Sequence, residues 1–113
     1  MDKMNTYREL VKRLLSQYVE IDNRRLPPGV EHLLIMDEQR DHYIWLNLGW
    51  SERKRLNTAT MYVRLKDGKI WIEEDWTDFG LANDLVREGV PKEDIVLAFH
   101  APEMRPYTEF AAA

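Results

Sequence analysis

The sequence contains no cysteine, which excludes disulfides, zinc–thiolate sites and thiol chemistry. Its five glycines stand singly, so no glycine-rich loop is available to cradle a phosphate. No apolar run approaches the roughly 18 residues of a membrane-spanning helix. The first residues, Met1-Asp2-Lys3-Met4-Asn5, have no apolar stretch of the kind found in secretion signals. Positive charge is also in deficit. Sixteen Lys and Arg face 20 Asp and Glu, a net of −4 over 113 residues, whereas a protein that grips a nucleic-acid backbone unaided needs a basic field. The expectation is a soluble, cytoplasmic chain forming a single domain over residues 1–113.

Aromatic residues are plentiful: four Trp, five Tyr and three Phe. With 44% hydrophobic residues the chain can build a core, and wholesale disorder is excluded. Tyr7, Leu10, Val11, Leu14, Leu15 and Tyr18 recur as one face of a helix. Its start would be capped by Thr6 with Glu9, or by Asn5. It should fade before Asn23, and Pro27-Pro28-Gly29 breaks the chain. Residues 32–36 form a short apolar strand, followed by a polar turn at 37–40. Residues 41–50 alternate, with Ile44, Leu46 and Leu48 on one face and Tyr43, Trp45 and Asn47 on the other. Beyond a polar loop at 51–54, Ala59, Met61, Val63 and Leu65 alternate with Thr58, Thr60, Tyr62 and Arg64.

Asp67-Gly68 is a strong two-residue hairpin signal, because both positions of a type I′ turn want positive φ. It pairs Lys66 with Lys69, Leu65 with Ile70, Arg64 with Trp71, Val63 with Ile72 and Tyr62 with Glu73. Arg64 then lies within reach of the Trp71 ring. A second helix is expected over residues 78–88, capped by Thr77, with Phe79, Ala82, Leu85 and Val86 as its apolar face. Gly89 and Val90 suit its C-terminal cap, and Pro91 its stop. Residues 95–99 form a last strand. The order helix, four strands, helix, strand predicts an α+β fold with two helices packed on a mainly antiparallel sheet.

No catalytic or metal constellation emerges, and no cofactor is expected. His32 and His42 have Asp37 and Asp41 nearby, but a turn at residues 38–40 would pair His42 near Met36 or Asp37 and set His32 about 13–17 Å further along the neighbouring strand. Ser16 and Ser51 lack a base in any nucleophile motif. Glu73, Glu74 and Asp75 read as a solvated strand end before a helix N-terminus that favours negative charge. His100 reads as structural. An enzyme is not indicated.

Two surfaces remain. If both helices cover the face carrying Ile44, Leu46, Val63 and Ile72, then Tyr43, Trp45, Tyr62 and Trp71 with Arg64 stand exposed. Such a patch marks a partner or oligomer interface. The competing reading has a helix or the C-terminal tail folded over them. Arg53-Lys54-Arg55, with Arg24-Arg25, are the only basic clusters and the candidate contacts for direct nucleic-acid binding.

Specific strings also resemble a known family. Asp41-His42-Tyr43, Gly49-Trp50 and Gly68-Lys69-Ile70-Trp71-Ile72 are similar to strand motifs of the XisI-like family. So are Gly80-Leu81-Ala82 with Leu85-Val86, and the string Gly89-Val90-Pro91-Lys92-Glu93-Asp94-Ile95-Val96-Leu97. The ending, with His100, Pro102-Glu103, Arg105 and Tyr107-Thr108-Glu109-Phe110-Ala111, matches as well, so the resemblance runs from about Tyr7 to the end. It implies a small accessory protein, named for control of fdxN-element excision in cyanobacteria, in programmed site-specific DNA rearrangement. It further implies a nuclease-like XisH-type companion and supplies no catalytic residues to carry over. The acidic charge and the aromatic face then favour a protein-binding role that reaches DNA only indirectly, with direct DNA binding through Arg53, Lys54 and Arg55 as the alternative.

Overall fold

A 21-residue helix, α1 (Lys3–Asn23), opens the computed structural model, which describes residues 2–113. Met1, the first residue of the expected 1–113 unit, lies outside them. The cap is Asp2, whose Oδ1 accepts the Met4 N–H at 3.0 Å, rather than Thr6 or Asn5. Tyr7, Val11, Leu14, Leu15 and Val19 are buried, so the apolar stripe continues one turn past Leu15 and the helix runs through Asn23. Among the described residues no helix is long and apolar enough to cross a membrane.

Five strands follow: β1 (Val30–Asp37), β2 (His42–Ser51), β3 (Lys54–Lys66), β4 (Lys69–Asp75) and β5 (Ile95–Leu97). They lie side by side in sequence order. The first three pairings are antiparallel and β4–β5 is parallel. The parallel step needs a crossover, which α2 (Leu81–Arg87) supplies. This is the α+β arrangement of two helices and a mostly antiparallel sheet.

The second helix begins later than residue 78. Asp75 Oδ1 accepts both the backbone N–H and the hydroxyl of Thr77, at 2.9 and 2.6 Å. Asp75 Oδ2 takes the Leu81 N–H at 2.7 Å, and Thr77 Oγ1 the Gly80 N–H at 3.2 Å. These bonds hold residues 75–80 as a side-chain-bonded turn. Phe79 is consequently 43% exposed, and Leu81 joins Ala82 and Leu85 in the core. At the other end Val90 N–H bonds Leu85 O and Gly89 N–H bonds Val86 O, both at 3.0 Å, closing the helix as a Schellman motif.

The Asp67-Gly68 turn has φ of 54° and 76°, and the pairs Lys66–Lys69, Leu65–Ile70, Arg64–Trp71 and Val63–Ile72 all form as the turn predicts. The register then slips. Tyr62 pairs with Glu74 rather than Glu73, because Glu73 bulges out and accepts Arg64 Nε at 3.1 Å. Arg64 is thus an ion-pair partner, and it is Lys66 and Arg105 that stand over Trp71, at 4.7 and 5.6 Å from its ring centre.

The β2–β3 connection governs the rest. It is a two-residue turn, Glu52-Arg53, closed by Ser51 opposite Lys54, where the sequence suggested a four-residue loop. Leu46 lies opposite Ala59, but Trp45 lies opposite Met61, so Thr60 is one residue extra in β3. Without that bulge Ile44 would face Met61. With it, Tyr43 faces Val63 and Trp45 faces Met61. A one-residue shift exchanges the two faces of a strand.

Close packing also fixes the sheet's end: a Cβ on Gly49, at φ 153°, would meet the Gly29 carbonyl oxygen at 2.1 Å. Only glycine fits there.

Both helices lie on one side of the sheet. The core joins Tyr7, Val11 and Leu15 of α1 and Leu81 and Leu85 of α2 to Tyr43, Trp45, Met61, Val63, Ile70, Ile72 and Ile95. Polar bonds fasten the helices at the margins. Arg8 Nε and Nη2 donate to the two oxygens of Asp41 at 2.7 and 3.1 Å, and Tyr43 Oη donates to Asp41 Oδ1 at 2.8 Å. The Tyr7 and Tyr18 hydroxyls donate to Asp94 and Asp84.

Candidate interaction face

The sheet face away from the helices carries Leu33 and Ile35 of β1, Ile44, Leu46 and Leu48 of β2, and Tyr62 of β3. The pairings place Leu33 opposite Leu46, Ile35 opposite Ile44 and Ile44 opposite Tyr62. None belongs to the buried core, whereas Leu34 and Met36, the alternate residues of β1, pack against it. All keep part of their surface in solvent, and Ile35 is 45% exposed. His42 and Tyr62 are hydrogen-bonded at 2.8 Å through Nδ1 and the hydroxyl. Arg64 and Glu73 pair beside them.

The far half of this face is covered by the C-terminal segment. Arg105 Nε donates to His100 O at 3.0 Å, and its Nη2 to Ala98 O at 3.1 Å. Its guanidinium therefore lies clamped over Trp71, whose own Nε1 donates to Lys66 O at 3.1 Å. Ala111 N–H bonds Ile95 O at 2.8 Å and forms a bridge with Val96, which is fully buried. The tail is a strap that crosses β4 at Trp71 and runs on beside the outer edge of β5.

The five residues expected to form one exposed aromatic patch are therefore divided. Tyr43 and Trp45 lie in the core under the helices, because the Thr60 bulge turns them that way. Trp71 lies under the strap. Only Tyr62 and Arg64 remain on the open face, both half-buried. Ile44, Leu46 and Leu48, on the side the helices would have to cover for an exposed aromatic patch, are the open face itself. Asn47, two residues from Trp45, shares the side of the aromatic rings, so its polarity points to that side as the outer one. It is nonetheless 8% exposed, because Thr60 Oγ1 accepts its Nδ2–H at 2.6 Å and His32 Nδ1 stands 2.6 Å from its Oδ1.

The basic residues gather at the opposite end from the strap. Arg53 occupies the β2–β3 turn, with Lys54 and Arg55 beginning β3, all exposed. The Arg55 guanidinium lies 5.4 Å from the ring centre of Trp50. Arg25 shares a recess with Ser51 and Leu56, so the two basic clusters lie at the same end of the sheet. His42 pairs with Asp37 across the first hairpin and His32 with Asn47, five positions apart on the ladder. Among the described residues no group of three His, Asp or Glu could hold a metal ion.

A profile of the XisI protein family matches residues 1–112. A crystal structure of a XisI-like protein from Anabaena variabilis is 44% identical, superposes with a TM-score of 0.90, and is matched over 96% of this chain and 97% of that one. The crystal structure of the fdxN element excision controlling factor XisI from the same organism is 42% identical, with a TM-score of 0.89 over 99% of this chain and all of that one. No curated protein matches the chain.

Proposed function

The chain belongs to the XisI family, and from that membership we propose that it is a non-catalytic accessory factor in site-specific excision of a DNA element. It acts in the cytoplasm as one domain, residues 1–113, by binding a nuclease-like companion of the XisH type. DNA is reached through that complex. The observation that carries this reading is the open face of β1–β3. Leu33, Ile35, Ile44, Leu46 and Leu48 form a contiguous apolar patch beside Tyr62 and Arg64. Apolar centres rimmed by aromatic and arginine side chains are what protein interfaces present. A homo-oligomer through the same face is the competing use of it. The acidic net charge suits a protein partner better than a phosphate backbone. Asp41 is held by Arg8 and Tyr43, and Asp94 and Asp84 accept the Tyr7 and Tyr18 hydroxyls.

Co-expression with the companion, followed by co-purification, tests the reading. Complex should form with the native chain and be lost with Ile35→Glu or Ile44→Glu, both of which should stay folded. Complex surviving both substitutions would remove the face from the proposal. Trp45→Ala and Trp71→Ala are unsuitable probes, because their rings are structural.

A second reading has a specific observation behind it: Arg53, Lys54 and Arg55 project from a hairpin end with Arg25 near by and Trp50 54% exposed beside Arg55. Basic charge interleaved with an aromatic ring suits direct DNA contact. A gel shift of the purified chain across salt concentrations separates the two, since phosphate contacts give a steep loss of affinity with salt. Tight, salt-sensitive binding abolished by a triple Arg53/Lys54/Arg55→Ala variant would favour the second.

A further inference from the structure

β3 is longer than its neighbour. β4 ends at Asp75, opposite Met61, and the Trp76 N–H takes the Thr60 carbonyl at 2.9 Å. Residues 54–59 therefore have β2 on one side and no strand on the other. Because the two-residue turn closes on Ser51 and Lys54, hydrogen bonding alternates from there. Leu56 and Thr58 bond towards β2, and Arg55, Asn57 and Ala59 turn their N–H and C=O groups outward. An unpaired strand edge of this kind is a template for another strand.

Beside this edge is a recess of about 520 Å³ lined by Asn57, Thr58, Ala59, Thr60, Glu74 and Trp76. It shares Glu74 and Trp76 with a second recess of about 350 Å³ that Asp75 and Phe99 complete. Trp76 is 77% exposed and Phe99 48%, an unusual outlay of aromatic surface at the end of a sheet. Trp76 Nε1 donates to Glu74 Oε2 at 2.9 Å, which fixes the carboxylate against the ring and leaves its other oxygen without a bond from any described residue. Asp75 is satisfied by neutral donors only. Among the described residues neither Glu74, Asp75 nor Asp78 enters an ion pair. An aromatic wall beside carboxylates that no cation neutralises is complementary to a lysine or arginine side chain.

We propose that the free edge of β3 at residues 55–59 receives an extended segment of a partner polypeptide as an added strand, with a lysine or arginine of that segment seated between Trp76 and Phe99 against Glu74. The main chain supplies the docking and the cationic side chain supplies the selectivity, as in other strand-addition sites. This surface adjoins the open face of β1–β3, since Asn57 and Ala59 lie opposite Leu48 and Leu46, but it uses the outward main-chain groups of β3 with Trp76, Phe99 and Glu74 rather than Leu33, Ile35 and Ile44.

The test is selection of a display library of random linear peptides, about twelve residues long, against the full chain. Recovered peptides should carry Lys or Arg within an alternating β-branched stretch, and their amide-shift perturbations should centre on Asn57–Ala59 and the Trp76 indole. Trp76→Ala and Glu74→Gln should each weaken binding about five- to tenfold. Asn57→Pro, which removes one outward N–H from an edge where proline is tolerated, should weaken it similarly with an unchanged circular dichroism spectrum. Ile44→Glu should leave binding intact. The proposal is overturned by failure to enrich any peptide, by enriched peptides without a cation, by perturbations centred on Leu33 and Ile35, or by binding that survives both Trp76→Ala and Glu74→Gln.

Discussion

On the helix side of the sheet Tyr43, Trp45, Met61 and Val63 are shut off from solvent, while one position along each strand Ile44, Leu46 and Tyr62 keep part of their surface in water. Apolar content does not separate the two faces. What separates them is what each has been given to cover it. One face has two helices, fastened by Arg8–Asp41, Tyr7–Asp94 and Tyr18–Asp84. The other has a strap that crosses β4 at Trp71 and runs on beside β5. A face that is apolar yet left half open is free to serve a partner, and the fully closed face is free only to hold the fold.

The most damaging way to break this contrast is to delete Thr60. Without the bulge, Ile44 and Leu46 would be driven under the helices and the large rings outward. The expected outcome is loss of the cooperative denaturant transition, since the whole stability of such a domain is only about 5–15 kcal/mol. Next comes Trp45→Ala, expected to cost about 3–5 kcal/mol of unfolding free energy. Trp45→Phe should cost far less than that, because Trp45 Nε1 is a buried donor with no partner among the described residues and its removal leaves nothing unsatisfied. Equilibrium urea unfolding measures both.

Smaller effects follow from the fastening bonds. The Arg8 guanidinium, with the Tyr43 hydroxyl, holds the Asp41 carboxyl below the usual carboxylate range. The unfolded chain takes up that proton first, so the contribution is present above about pH 4 and is lost as pH falls through the folded value. Asp41→Asn should flatten the acid limb of a stability–pH curve and cost about 1–3 kcal/mol at neutral pH. At the other extreme, burial and the bond to Asp94 push Tyr7 up to about 12. Its contribution is complete below about pH 10 and disappears as pH rises towards the folded value. Tyr7→Phe should lack that alkaline loss, read by thermal melting across pH. Smallest of all, Ile35→Ser on the open face should change stability by less than about 1 kcal/mol. A larger loss would show that the face is already closed in the free protein.

Much of this architecture was legible in advance, for reasons that can be named. Asp67-Gly68 gave the β3–β4 register because few residues other than these accept two successive positive φ values. Gly89-Val90-Pro91 gave the end of α2. The phase of β2 against β3 was not legible. Its turn, Glu52-Arg53, carries no glycine or asparagine although Glu52 sits at φ 57°, and nothing in a Thr–Ala–Thr run marks which residue will be extra. Alternation reports which residues share a side, never which side is inside. For the candidate site the consequence was complete for Tyr43 and Trp45. Arg64 was found correctly opposite Trp71, but the bulged Glu73, three residues after Ile70, claimed it. Trp76 belongs to no periodic pattern, and Phe99 was expected inside a buried last strand that in fact ends at Leu97, so only their place at the sheet's end reveals them.

Thr60 acts on the alternating pattern as a parity digit acts on a message. The residues from Lys54 to Ala59 and those from Met61 to Lys66 are each written in strict two-step order, and one inserted character decides how the second block is read against β2. Two chains could share every core and surface residue and still be turned inside out relative to each other if they differed by that character alone. Relatives of this protein can therefore be sorted by one measurement, the spacing between the Ser51–Lys54 turn and the Asp67-Gly68 turn. Chains that keep it should bury the aromatic set, and chains that lose or gain one residue there should present it.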